Sequence, residues 1–403
     1  MMGPRRFGVL VLCCAVMRAQ APLAQVPVDP YTGGEAEALK RAGYVSLGPF
    51  PFGPNHTTAG VEGLLGDEPL HWIETAHFRL GCAVSEVALR GADSAWIKQV
   101  KGELQRLRER LPTVKRSPRT LDPWLRTHLI AQRLEECYAE IQRDLGVDDG
   151  GFPTEPMDPG DEKAYLGVGP YLGMAQKYSV LVLQRGASLA RYTRAYAGGE
   201  TIEPFRFHAT GYGGLFFVVC EESSNGLMKN DHALHTQLVY NVVVNLINGY
   251  RYYAHDMPPW LLFGLAHYYS RQVSPRYPAY ERKIEGEPED SPFWKWDERA
   301  RGLLKYEAFE PLATLMARGE IGEFGMEEHI EAWFLVDYLM STRRAATMQL
   351  VHELKAPFHN QYKLPTTVEL EARQTAAIER LFGIDIEGLE AEWRAGAGKR
   401  SRR

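Results

Sequence analysis

The chain is 403 residues long, with a formal net charge of −5, and 45% of its residues are hydrophobic against 24% charged. That length and balance suit a folded protein of one large or two ordinary domains. They exclude the basic excess of a nucleic-acid binder, and no uninterrupted apolar run approaches the roughly 20 residues of a membrane helix.

At the N-terminus, Arg5 and Arg6 precede the apolar run Phe7 to Met17, and Ala19, Ala21 and Ala24 follow. This is the outline of a signal peptide over residues 1–24, and it implies export to the periplasm or the cell exterior. A lipid-anchored Cys13 is disfavoured by the large Leu12 before it. Beyond this segment only Cys82, Cys137 and Cys220 remain. An odd count leaves at least one thiol free. Cys82 and Cys220 end expected strands and could pair if those strands are neighbours, but three buried free thiols are the plainer reading.

Residues 25–70 are rich in Pro and Gly without a sustained period, and read as an extended segment lying on the body. A strand is expected around Ala76 to Val84, with His77 on its surface. Asp93 is a fitting N-cap for a helix through Arg110, whose stripe is Trp96, Val100, Leu104 and Leu107. Asp122-Pro123 opens a second helix to Leu145, capped by Gly146. Its interleaved Arg and Glu residues read as a solvated face. A long loop follows to Gln176, then a buried strand at Lys177–Gln184, a helix at Ala187–Tyr196 and a strand at Gly213–Glu221.

Residues 231–272 read as two helices, the second entered through Pro258-Pro259. The first contains QLVYNVVVNLI, whose β-branched residues fit a buried strand as well as a helix. The Pro-Pro-Trp helix behind it favours helix. Residues 275–298 read as charged and irregular, residues 310–317 as a short helix. Met326–Thr342 reads as a helix buried on nearly all sides, in which Asp337 needs a partner or an exposed edge. A last helix reaches about Arg394, and the tail, residues 395–403, has too few apolar residues to order itself.

The phrase Pro258-Pro259-Trp260-Leu261, continued by Gly264-Leu265-Ala266, Tyr268 and Ser270, resembles the third-ligand helix of gluzincin metallopeptidases, the thermolysin-like or peptidase MA-like group. Weaker echoes are Glu74-Thr75 with His77-Phe78-Arg79, Glu331–Leu339 and Phe382–Trp393. The resemblance implies an exported bacterial α+β protein. An α/β part would span residues 71–230 and a helical part residues 231–394, with a central helix pair at the cleft. It also implies that the Gly213–Glu221 strand is the sheet edge where an extended polypeptide would lie, lined by Gly213, Phe216, Val218, His235 and His267.

Members of that group carry His-Glu-x-x-His on the first helix and a Glu on the second. Two imidazoles at i and i+4 share a helix face and reach one Zn²⁺, the intervening Glu takes a proton from its water, and the third ligand holds the ion. Here the best register sets Tyr240, Asn241 and Val244 at the motif positions and Phe263 at the Glu position. A register on His235, Thr236 and Val239 loses the site equally. The implied protein is catalytically inactive, without zinc, and acts by binding or as a structural component.

Two alternatives stand beside this. One is an active hydrolase with a relocated metal site built from His232, His235 and His267, with His255 nearby. The other is an unrelated exported α+β protein. The only His-Glu dipeptide, His352-Glu353, lacks a second His, Ser223-Ser224 has no recognisable triad partner, and no phosphate-binding glycine loop occurs.

Overall fold

The structure is a computed structural model that describes residues 28–66, 68–157, 165–252, 257–277, 279–280, 295–355 and 367–400. The expected signal peptide and His255 lie outside the described residues. The fold is mixed α+β. Its centre is a five-stranded sheet of β1 (His71–Glu74), β2 (Phe78–Cys82), β3 (Tyr178–Leu183), β4 (Phe205–Ala209) and β5 (Gly214–Cys220), in the order β1-β2-β3-β5-β4. The three central strands are parallel, with Leu80 opposite Val180 and Val180 opposite Phe217, and both edges are antiparallel.

Every residue of β3 and β5 is buried, because both faces of the sheet are covered. Strand residues alternate between faces, and the two cores divide accordingly. Phe78, Leu80, Val180, Val182, Phe217 and Val219 enter the larger core with helices α1 (Ser94–Arg110), α2 (Pro123–Leu145) and α4 (Asp231–Gly249). Leu181, Leu183, Phe216, Val218 and Cys220 enter a smaller core with Leu189 and Tyr192 of α3 (Gly186–Tyr196). This covering on both sides explains the near-continuous apolar runs of the two strands.

The remaining helices pack beyond α4. They are α5 (Pro259–Val273), α6 (Trp296–Lys305), α7 (Met326–Thr342), α8 (Arg344–Leu354), α9 (Thr367–Phe382) and α10 (Ile386–Arg400), with a short helix at Leu312–Ala317. No helix among the described residues is long and apolar enough to cross a membrane.

Several expectations are corrected. Residues 28–66 are not merely extended. They form helices Ala36–Ala42 and Thr58–Leu65 and a small hairpin, and they place Phe50, Phe52, Val61 and Leu65 in the smaller core. The sheet edge is β4, which gives only its inner side to β5, so Gly214–Cys220 is an interior strand. Helices α6 and α9 occupy stretches read as irregular or left unassigned. Residues 395–400 continue α10, where Gly396 lies close against the ring of Tyr338 and Ala397 is buried. Cys82, Cys137 and Cys220 are all free; Cys82 faces the larger core and Cys220 the smaller, with β3 between their strands.

The glycine of the Gly-Leu-Ala phrase has a packing role. A Cβ at Gly264 would stand 2.4 Å from Val336 Cγ2 and 2.7 Å from the Ala332 carbonyl oxygen of α7. Only hydrogen fits where α5 crosses α7. Gly264→Val should therefore destabilise the fold by about 1–3 kcal/mol or more through overpacking. Gly302 of α6 has nothing near its missing Cβ, so Gly302→Ala should be neutral or stabilising by up to about 1 kcal/mol. Urea unfolding of both variants checks the contrast.

Candidate functional site at the paired helices

Helix α4 starts where the Asn230 side chain accepts from the backbone N–H of His232 at 2.9 Å and of Ala233 at 3.3 Å. All nineteen of its residues are buried, which is why no polar stripe revealed it. Pro259 occupies the first turn of α5, and the N–H groups of Leu261 and Leu262 donate to Pro258 O. The stretch Gln237–Ile247, which fits strand or helix locally, is helical.

Tyr240, Asn241, Val244 and Phe263 are each no more than 1% exposed. The Tyr240 ring lies 4.8 Å from the His267 ring, and the Phe263 ring lies 4.7 Å from that of His329 on α7. His267 and His329 join the two sides by a 3.1 Å hydrogen bond between Nε2 and Nδ1. Tyr280 and Trp296 close over His267, and Phe324 packs on Phe263. Burial, then the neighbouring His329, holds His267 well below the usual imidazole range, so the His267 ring is neutral. Asn241 turns back on its own helix, donating from Nδ2 to Gln237 O at 3.1 Å.

These groups do not suit a zinc ion. The four motif positions supply a phenol, an amide and two apolar side chains, with no carboxylate to activate water and no imidazole among them. Among the described residues no group of three or more His, Cys, Asp and Glu is placed to hold a metal. His232, His235 and His267 are not brought together. His232 donates from Nε2 to Val273 O at 2.9 Å, tying the start of α4 to the end of α5. His235 meets Gln99 of α1 at 3.2 Å; burial, then the charge of Arg133, pushes its pKa down to about 3. Phe216 and Val218 face the smaller core and line no cleft beside the helix pair. Gly213 forms the β4–β5 turn, with φ +66°, and donates to Ala209 O. His352 lies on α8 and meets the Tyr250 hydroxyl at 2.7 Å, at the far end of α4.

The sequence reading missed His329. Nothing in the apolar run of α7 marks it, and its partner lies 62 residues earlier. It also placed the arginines of α2 on a solvated face, whereas Arg126 and Arg133 are 0% and 4% exposed. Their spacing of seven residues, two helical turns, puts them on one side. Arg126 reaches Glu221 at 2.6 Å and Asp231 at 3.4 Å; Arg133 reaches Glu103 at 2.7 Å and Asp231 at 2.9 Å. Burial opposes ionisation of Asp231, but Arg133 and Arg126 outweigh it and hold its pKa below the usual range. Beside Asp231 opens a cleft of about 170 Å³, lined by Val87, Ala92, Asp93, Trp96, His232 and Tyr277 among others. That is less than the roughly 300 Å³ at which small-molecule pockets begin.

His77 is not a surface strand residue. Its Nδ1 lies 2.7 Å from Glu135 and its Nε2 3.0 Å from Asp149, and its ring stacks on Tyr138 at 3.7 Å.

No protein-family model, curated protein or solved structure matches this chain. Its site therefore has to be read from its own geometry.

Two predictions follow from the buried charges. Asp231→Ala leaves two guanidinium groups short of a counter-charge in a dry interior, and should cost about 3–5 kcal/mol in chemical unfolding. For His77, burial lowers the pKa, but the hydrogen bonds and charges of Glu135 and then Asp149 outweigh it, so the net shift is upward. Its contribution is then fully present below the unfolded value of about 6.5 and fades as pH rises through the raised folded value. Glu135 is shifted downward: burial raises it, but the His77 hydrogen bond and charge prevail. Its contribution fades as pH falls below its unfolded value of about 4.3. The stability difference between wild type and His77→Gln should be largest, about 1–2 kcal/mol, between about pH 5 and 6.5. Thermal melts across pH check this.

Proposed function

We propose that this chain is an exported, catalytically inactive relative of the gluzincin metallopeptidases that works by binding an extended polypeptide or as a structural component. One observation carries the reading. Tyr240 and Phe263, the residues at the first-His and third-ligand positions of the resemblance, both pack on the same His267–His329 pair. Side chains 23 positions apart in sequence thus converge on one histidine pair, as the resemblance implies for the two helices.

The sheet is consistent with the same reading. Its antiparallel edge β4 leaves one side without a strand partner among the described residues, and such an edge is a template for an added strand. Arg206 of β4 donates to the Asn245 side chain of α4 at 3.0 Å, so this edge stands beside the helix that would carry the motif. A packed apolar interior in place of ligands and base removes the means of activating water. The surfaces around it are left for binding.

The reading predicts that protein purified after dialysis against zinc holds no stoichiometric metal and leaves peptide libraries intact. One zinc per chain, lost on His267→Ala, would instead establish a relocated metal site. Phe263→Glu should lower stability by several kcal/mol, because it buries a carboxylate with no cation to receive it. A melt unchanged by that substitution would show the position to be wrongly assigned.

A further inference from the structure

The chain as a whole is acidic, yet one face is locally basic. Residues 110–119, the turn after α1, hold Arg110, Lys115, Arg116 and Arg119 and no acid. Lys115, Arg116 and Arg119 are exposed. The fold adds two more cations. The guanidinium of Arg41 donates to Arg110 O at 3.0 Å, and the Leu89 N–H donates to Arg119 O at 3.0 Å, which sets exposed Arg90 beside the same turn. The turn is held in shape, since Arg108 donates to Val114 O at 3.0 Å. Exposed acids on the flanking segments are Glu35, Glu37, Glu86, Asp93 and Glu109. None of the six basic residues forms an ion pair among the described residues, although many basic side chains elsewhere do.

The N-terminal segment enters the fold at this face. Thr113 Oγ1 donates to Tyr31 O at 2.9 Å, the Tyr31 hydroxyl donates to Asp122, and Val28 is 71% exposed.

We propose that this face, centred on Lys115, Arg116 and Arg119, docks on the phosphate headgroups of an anionic lipid bilayer. A bilayer is favoured as the occupant because the cations are spread over a turn and two neighbouring segments and are not gathered round a pocket. Each Lys or Arg near an anionic surface contributes attraction that fades within a Debye length, about 8 Å at physiological salt. The proposal is independent of the metallopeptidase resemblance.

The test is co-sedimentation of the full chain with vesicles containing phosphatidylglycerol in a phosphatidylcholine background, against phosphatidylcholine alone. Binding only to the anionic vesicles, weakened by salt, is expected. The triple variant Lys115→Glu, Arg116→Glu, Arg119→Glu should lower partitioning by at least about 100-fold. The variant Lys295→Glu, Arg301→Glu, Lys305→Glu, with the same charge change in the helical part, should bind as wild type. Thermal melts establish that both variants fold, which exposed positions in a turn and on a surface helix allow. Equal binding to neutral vesicles, equal loss in both variants, or retention of soluble polyphosphate without any vesicle binding would each overturn the proposal.

Discussion

Asp231 is shared by two arginines, and the rest of the site is placed by that sharing. Its carboxylate takes Arg126 and Arg133 from α2 and the indole N–H of Trp96 from α1 at 3.3 Å. Arg126 also holds Glu221 just beyond β5, and the Ser85 carbonyl beyond β2. Glu221 in turn accepts from the Ser85 N–H at 2.9 Å. The first residue of α4 is thus fastened to two helices and to the carboxyl ends of two strands. With the side chains of its three acids and two arginines no more than 3% exposed, the cluster is costly to form and more costly to break. Its value lies in fixing one position and one rotation for α4.

That position decides everything further along the chain. At the other end of α4, Gly249 lies against Tyr178, Met174 and Leu215, with no room for a Cβ. Between these two anchors Tyr240 has one direction to point, onto His267. Helix α5 is set against α4 on one side and, through Gly264, against α7 on the other. The consequence is an aromatic interior around the hydrogen-bonded His267–His329 pair.

How much of this was legible depended on local chemistry. The helix ends at Asp93, Asp122-Pro123 and Gly146 were legible because capping is written in adjacent residues, and Asp93 and Asp122 do accept from the backbone N–H groups of the first turns. The buried strands β3 and β5 announced themselves by unbroken apolar runs. Strand β4, Phe-Arg-Phe-His-Ala, did not, because a five-residue edge strand half exposed along its length carries too little pattern. Helix α4 was ambiguous because burial on all sides erases the period that separates helix from strand. The ionic cluster and the His267–His329 pair were illegible in principle, since each is made of residues from segments far apart in sequence. Arg126 and Arg133 mislead for a further reason: an arginine ion-paired inside a protein looks, in sequence, like one that faces water.

The central claim is that Tyr240, Asn241, Val244 and Phe263 occupy the positions of a lost zinc site. The most direct measurement restores it. The variant carrying Tyr240→His, Asn241→Glu, Val244→His and Phe263→Glu is purified, and its thermal melting and metal content are followed as zinc is added. The account predicts one zinc per chain and a rise in melting temperature that magnesium does not reproduce, with no such response in the wild-type protein. A folded variant that binds no zinc would contradict it.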